Sequence, residues 1–158
     1  MTTPWTDIQN DAIAKYGITL CDGSLCKNDW RRTHVHTDLR RICKWKQAAS
    51  VESTVHLFHE IGHCENNTGR ERRAEKEFKA TCWAIDEFRR RNLRFPLKML
   101  FRYQTYVLLE TSRGLRRGGR DYPHMNLYEY AGEEVSLDEL KRIFSKEWWC
   151  EEEALEIL

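Results

Sequence analysis

The sequence has no long apolar run. No segment approaches the roughly 18 consecutive apolar residues that a transmembrane helix requires. The N-terminal segment Met-Thr-Thr-Pro-Trp-Thr-Asp also lacks the basic and apolar regions of a secretion signal. We therefore expect a cytoplasmic protein that neither enters nor crosses a membrane.

An excess of charge of one sign is also missing. The formal net charge is +1 at pH 7, although 32% of the residues are charged, so there is no overall attraction to nucleic acid. The hydrophobic fraction of 41% is typical of a soluble globular protein rather than a disordered one. Because 158 residues suit one ordinary domain, and no internal repeat or low-complexity linker interrupts them, we predict a single domain over residues 1–158.

Cys-x-x-Cys pairs are absent, although the chain has six cysteines. Without a secretion signal, these cysteines are expected to be reduced thiols rather than three disulfides. A zinc ribbon is disfavoured, because Cys21 and Cys26 would need two further ligands from scattered positions.

The residue patterns that are present predict an α+β fold. Helices are predicted where apolar residues recur at helical spacing or a capping pattern occurs, over residues 5–16, 51–65, 70–91 and 96–112, and from Ser136 onward. Strands are predicted on both sides of the turn at Asp22-Gly23, within 32–45 and over 125–130, and a Gly/Arg-rich loop over 113–120.

The most informative segment is His59-Glu60-Ile61-Gly62-His63. Two histidines four residues apart on a helix lie about 40° apart and one turn apart, so both imidazoles can reach one metal ion. Zinc lowers the pKa of a water molecule that it binds, and the carboxylate of Glu60 beside it can take the proton. The apolar positions of this helix fall on a separate arc, as expected of a buried helix with one face lining a site.

A catalytic zinc needs a third protein ligand, and the next helix offers Glu71, Glu75 and Glu77. Only Glu77 lies in the middle of the small, apolar face of that helix, on which Ala80 and Ala84 allow a close approach. A carboxylate buried there without a cation would cost several kcal/mol unless it were protonated. The alternative is that Glu77 pairs with an arginine one turn back, such as Arg73.

The HEIGH segment, followed by Glu77-Phe78-Lys79-Ala80-Thr81-Cys82-Trp83-Ala84, resembles the ImmA/IrrE family of zincin metallopeptidases, especially the short versions of phages and integrative elements. The resemblance covers residues 50–90. It implies zinc ligands at His59, His63 and Glu77, and a catalytic base at Glu60. It also implies a small N-terminal antiparallel sheet packed on the two ligand-bearing helices, with additional C-terminal helices. Family members often have an acidic residue where Thr81 stands.

The function expected from this resemblance is that of a zinc-dependent metalloendopeptidase in a bacterial host cell. Its substrate would be a regulatory protein, typically a helix-turn-helix repressor of the same mobile element. The alternative is a non-enzymatic, zinc-containing binding module that binds a repressor or DNA, and a third hypothesis is a structural protein with a fortuitous motif. The arginines that suit contacts with phosphate, unless the acidic C-terminal segment pairs with them, are Arg113, Arg116, Arg117 and Arg120.

Several other side chains have two open interpretations. His56 shares the polar arc of its helix and can contact a substrate or simply pack. His34 and His36 alternate on a strand that either holds a substrate backbone or exposes two histidines. Tyr103 and Tyr106 can stabilise an oxyanion or serve amphipathic packing.

Overall fold

Five helices and one three-stranded sheet are built from residues 4–24, 26, 33–118 and 125–134, which are the residues that the computed structural model describes. The helices are α1 (Pro4–Lys15), α2 (Val51–Glu65), α3 (Arg73–Arg90), α4 (Leu97–Arg116) and α5 (Leu127–Tyr130). The strands are β1 (Thr19–Cys21), β2 (His34–His36) and β3 (Arg41–Cys43). This composition confirms the predicted α+β class.

The sheet is mixed, so the prediction of an antiparallel sheet is wrong. Its order is β1-β3-β2, with β3 antiparallel to β2 and parallel to β1. A short 3-10 turn at Thr37–Leu39 joins β2 to β3 as a hairpin, and Arg40 follows it with φ 48°. Residues 22–40 separate β1 from β3, and a connection of that length allows parallel pairing. The predicted strand after the Asp22-Gly23 turn falls largely outside the described residues.

The core lies where α2 packs against α3, with α1 in contact with α2 and α4 in contact with α3. Its largest fully buried side chains include Phe58 and Ile61 from α2, and Ile85 and Phe88 from α3. Gln9 of α1 is also fully buried, and its amide donates hydrogen bonds to the carbonyl of Ala48 and the hydroxyl of Thr54, at 2.9 and 2.8 Å. These bonds satisfy the buried amide nitrogen and attach α1 to the start of α2.

The C-terminal predictions need two corrections. Helix α4 continues to Arg116, so the first part of the predicted Gly/Arg loop is helical, and Gly118 with φ 84° follows the helix end. Residues 127–130 form α5 instead of a strand, because the side chain of Asn126 accepts hydrogen bonds from two backbone amides of the first turn. The helix predicted from Ser136 lies outside the described residues, as does Arg120.

None of the helices in the described part of the chain combines the length and apolar character needed to span a bilayer.

Candidate metal centre

Helix α2 presents His59 and His63 on the side opposite its core residues. Its start is fixed by Ser50, whose hydroxyl accepts a hydrogen bond from the amide of Ser53. The helix runs over Val51–Glu65, which confirms the predicted range. The Nε2 atoms of His59 and His63 lie 3.1 Å apart, so the two imidazoles converge on one point.

Glu77 of α3 completes the cluster. Its Oε2 atom lies 2.9 Å from Nε2 of His59 and 3.4 Å from Nε2 of His63. In tetrahedral coordination with bonds of ~2.0 to 2.1 Å, ligand atoms are separated by ~3.3 Å. The three observed separations are close to that value, so His59, His63 and Glu77 form a group that can hold a metal ion.

The alternative partner of Glu77 is engaged elsewhere. Nε of Arg73 lies 3.3 Å from Oε2 of Glu110, and its Nη2 donates to the hydroxyl of Tyr106 at 3.2 Å. The carboxylate of Glu77 instead faces the two histidines, with its side chain only 13% exposed. A buried carboxylate that faces Nε2 of two imidazoles can be satisfied by a cation held between them.

Thr81 decides which nitrogen of His59 faces the cluster. The Thr81 hydroxyl donates its only proton to the backbone carbonyl of Glu77 at 2.9 Å. Its oxygen lies 3.0 Å from Nδ1 of His59 and therefore accepts a hydrogen bond from that nitrogen. Because Nδ1 carries the proton, Nε2 is left with a lone pair for a metal. A neutral hydroxyl thus orients the ring of His59.

The pKa values of the cluster follow from burial and mutual contact. Burial is the main cause that lowers the pKa of His59 to about 4, which keeps this ring neutral. Burial alone would raise the pKa of Glu77, but hydrogen bonds and charge interactions with the two histidines lower it overall. Burial likewise opposes protonation of His63, yet its contacts with Glu77 raise its pKa. The carboxylate of Glu77 is therefore ionised, and it stabilises a positive charge placed beside it.

Glu60 lies beside this cluster and lines the same cleft. Burial raises its pKa to about 7, with a further increase from the charge of Glu77 and an opposing effect of His63. A carboxyl group whose pKa is close to neutral can both accept and release a proton at physiological pH. Glu60 is thus placed for proton transfer, separate from the three side chains that can hold the metal.

The close approach of α2 and α3 depends on Gly62. A Cβ atom at this position would lie 2.5 Å from the carbonyl oxygen of Ala80 and 2.9 Å from its Cα. Both contacts are with backbone, so neither can be relieved by a side-chain rotation. The glycine inside the motif therefore allows the carboxylate of Glu77 to reach the histidines of the neighbouring helix.

This contact predicts that Gly62→Ala destabilises the protein by about 1 to 3 kcal/mol, because α2 and α3 must separate. Helix propensity alone would favour alanine by ~1 kcal/mol. The sign of the change in the free energy of unfolding therefore shows which of the two effects is larger. Urea unfolding measures it, and competition with a chelator measures the loss of metal affinity that should accompany the separation. A more stable variant with unchanged affinity would contradict this explanation.

A cleft of about 950 Å³ opens over the cluster. Its walls come from α2, α3, α4 and β2, which is an edge strand among the described residues. The side chains that line it, beyond the cluster and Glu60, are Thr33, His34, Val35, Thr37, His56, Arg73, Arg102, Tyr103 and Tyr106. The sequence patterns did not single out Arg102 as a site residue, because only the packing of α4 brings it to the cleft.

Two of the ambiguous side chains meet in this cleft. Nδ1 of His56 lies 2.6 Å from the hydroxyl of Tyr103, and the Tyr103 ring stacks on His59 with centroids 4.4 Å apart. The pair therefore lies against the metal cluster rather than on a remote surface. Tyr106 also lines the cleft and accepts a hydrogen bond from Arg73.

Of the arginines considered for phosphate contact, the three that the structure describes, Arg113, Arg116 and Arg117, do not line the cleft. Arg113 lies in the last turn of α4 and pairs with Glu110 at 2.7 Å. Arg116 ends the same helix, and Arg117 follows it at an exposed position.

Comparison with known proteins returned no match to any family model, curated protein or solved structure. The described residues thus define a mixed α+β chain that has a His-His-Glu group suited to a metal ion.

Proposed function

We propose that this chain is a zinc metallopeptidase. The observation that supports it is the convergence of His59, His63 and Glu77 beside the carboxyl group of Glu60. Two imidazoles and one carboxylate are a donor set used by catalytic zinc, and three protein ligands leave one position open for water or substrate. A purely structural zinc has four protein ligands and no need for a neighbouring base.

The side chains of the cleft account for the steps of peptide hydrolysis. A bound Zn²⁺ supplies a Lewis acid that polarises a carbonyl oxygen and lowers the pKa of water toward ~7. Glu60 takes the proton of the attacking water and can return it to the leaving amine. The hydroxyl of Tyr103, which lies 2.6 Å from Nδ1 of His56, can donate a hydrogen bond to the oxyanion that develops.

The cleft favours an extended polypeptide as substrate. Strand β2 is at the edge of the described sheet and contributes His34 and Val35 to the cleft wall. An extended peptide can pair with such an edge and lie across the metal cluster. The motif resemblance to the ImmA/IrrE family suggests a helix-turn-helix repressor of a mobile element as the protein that is cleaved, in the cytoplasm of a bacterial host.

The alternative is a zinc-containing binding module without catalysis. The exposed basic end of α4, with Arg113, Arg116 and Arg117, favours contact with a nucleic acid or an acidic protein surface. The ion pair between Arg113 and Glu110 weakens this interpretation, because part of the positive charge is already balanced. A partly buried Glu60 in the cleft has no role in a module of this kind.

Metal removal tests the peptidase proposal. The zinc-loaded protein is incubated with a peptide library from a bacterial proteome, and separately with a helix-turn-helix repressor if one is encoded beside its gene, and products are identified by mass spectrometry. We expect cleavage that disappears with a chelator and returns with added zinc. The binding module would be favoured if the fully zinc-loaded protein left both substrates intact and, when immobilised on a column, retained the repressor.

A further inference from the structure

A second group of metal-ligating side chains lies in the sheet. One ligand atom from each of Cys26, His34, His36 and Cys43 falls within 4.8 Å of the other three. The sulfur of Cys26 is central, at 3.0 Å from Nε2 of His34, 3.5 Å from Nε2 of His36 and 3.5 Å from the sulfur of Cys43. This group is separate in composition from the three ligands of the cleft.

The strand register builds the group. His34 stands directly opposite Cys43 in the antiparallel pairing of β2 with β3, so their side chains share one face of the sheet. His36 lies two residues further along β2 and therefore points to that same face. Cys26 arrives from the segment after β1, where its amide donates to the carbonyl of Gly23 at 3.1 Å.

The spacing fits a tetrahedral ion better than a disulfide. The sulfurs of Cys26 and Cys43 are 3.5 Å apart, whereas a disulfide requires ~2.05 Å. Around a zinc ion with Zn–S bonds of ~2.3 Å and Zn–N bonds of ~2.0 to 2.1 Å, two sulfurs are ~3.8 Å apart and a sulfur and a nitrogen ~3.5 Å. Cys43 is fully buried and His34 is 9% exposed, so much of the group is shielded from solvent.

We infer that Cys26, His34, His36 and Cys43 form a second, structural zinc site. Two thiolates and two imidazoles in tetrahedral arrangement are a set selected by Zn²⁺, and four protein ligands close the coordination shell. Binding releases the thiol protons of Cys26 and Cys43 to solvent as the zinc–sulfur bonds form. The inference does not depend on the peptidase proposal, since it uses none of the cleft ligands.

Such a site has a clear structural task. Each strand of the sheet has three residues, the lower end of the usual range of about 3 to 10, so few backbone hydrogen bonds hold the strands together. A zinc ion would join the segment after β1 to both β2 and β3 in one crosslink. Because His34 also lines the cleft, the same ion would hold the edge strand that forms one wall of the candidate active site.

Zinc stoichiometry of the purified full chain tests the inference. By native mass spectrometry with zinc supplied, we expect two zinc ions in the wild type and one in Cys26→Ser. Cys82→Ser is the control, because Cys82 lies on α3, outside the group; it should keep two ions. Glu77→Ala should also hold one ion, because it loses the ion of the cleft and keeps the ion of the sheet. Two ions in Cys26→Ser, or one in the wild type together with one in Cys26→Ser, would overturn the site.

Cobalt substitution tests for thiolate coordination even if a cysteine variant fails to fold. Co²⁺ bound to thiolates gives an intense near-ultraviolet charge-transfer absorption that a site of only nitrogen and oxygen ligands does not give. The cobalt-loaded wild type and Glu77→Ala should both show this band, and Cys26→Ser should lose it. A wild type that binds cobalt without the band would exclude thiolate coordination, while leaving the His-His-Glu centre untouched.

Discussion

Glu60→Gln is expected to lower peptide cleavage by about 10²- to 10⁴-fold, the usual contribution of a general base. The glutamine amide has nearly the same size as the carboxyl group but cannot accept the proton of the attacking water. Because Glu60 is not one of the three clustered ligands, zinc content should equal that of the wild type. The measurement is kcat/KM on the best peptide from the library, together with zinc per chain.

The comparison variants make this result specific. Glu52→Gln carries the same substitution on the same helix, but Glu52 is an exposed first-turn residue that contacts Lys98, so activity should not change. Tyr103→Phe removes the hydroxyl that His56 holds and should cost about 100-fold with zinc retained, as loss of one oxyanion donor does. Full activity in Glu60→Gln would eliminate the peptidase mechanism, and binding of a partner would then have to explain the geometry of the cleft.

The helix that contains the HEIGH segment was predictable because several local signals coincide. Ser50 is a favourable N-cap, the apolar residues follow a helical period, and polar side chains occupy the opposite arc, so the range 51–65 agrees with the structure. Glu77 was selected by the same reasoning, since only one of three glutamates lies among small residues. The sequence pattern also singled out Ala80, although the tightest contact is between its backbone and Gly62.

Features that depend on distant partners were not predictable in this way. Residues 125–130 alternate like a strand, but the amide of Gln104 donates to the carbonyl of Met125, and its side-chain oxygen accepts from the amide of Leu127. These contacts, from 21 and 23 residues away, hold the short α5 in place against the local pattern. The parallel pairing of β1 with β3 is likewise a property of the whole sheet.

The cysteine–histidine group of the sheet was also only partly predictable from the sequence. The alternation of His34 and His36 correctly predicts that both point to one face of a strand. Nothing local indicates that Cys43 stands opposite His34, or that Cys26 reaches both histidines. For that reason the sequence disfavoured a structural cysteine site, whereas the folded sheet brings four side chains that could hold a metal ion together from three separate segments.

Glu77→Ala is expected to remove the metal of the cleft and all measurable hydrolysis with it. The variant leaves two imidazoles, of which His59 is oriented by Thr81, but no anionic ligand. Loss of a residue that only positions a ligand costs 10- to 100-fold in metal affinity, so loss of the ligand itself should cost more than about 100-fold. Competition with a chelator measures the affinity, and the zinc count should fall by one ion per chain.

A matched control comes from the same helix. Glu75 lies two residues before Glu77, but it contacts Arg72 at 4.0 Å and does not line the cleft. Glu75→Ala should therefore keep both metal content and cleavage, which separates the loss of a ligand from the loss of one negative charge on α3. If Glu77→Ala bound zinc as tightly as Glu75→Ala, Glu77 would not be a ligand. In that case a proton shared with His63 would have to offset the cost of burying Glu77 between two histidines. The contact with Glu77 does raise the pKa of His63, although burial alone would lower it.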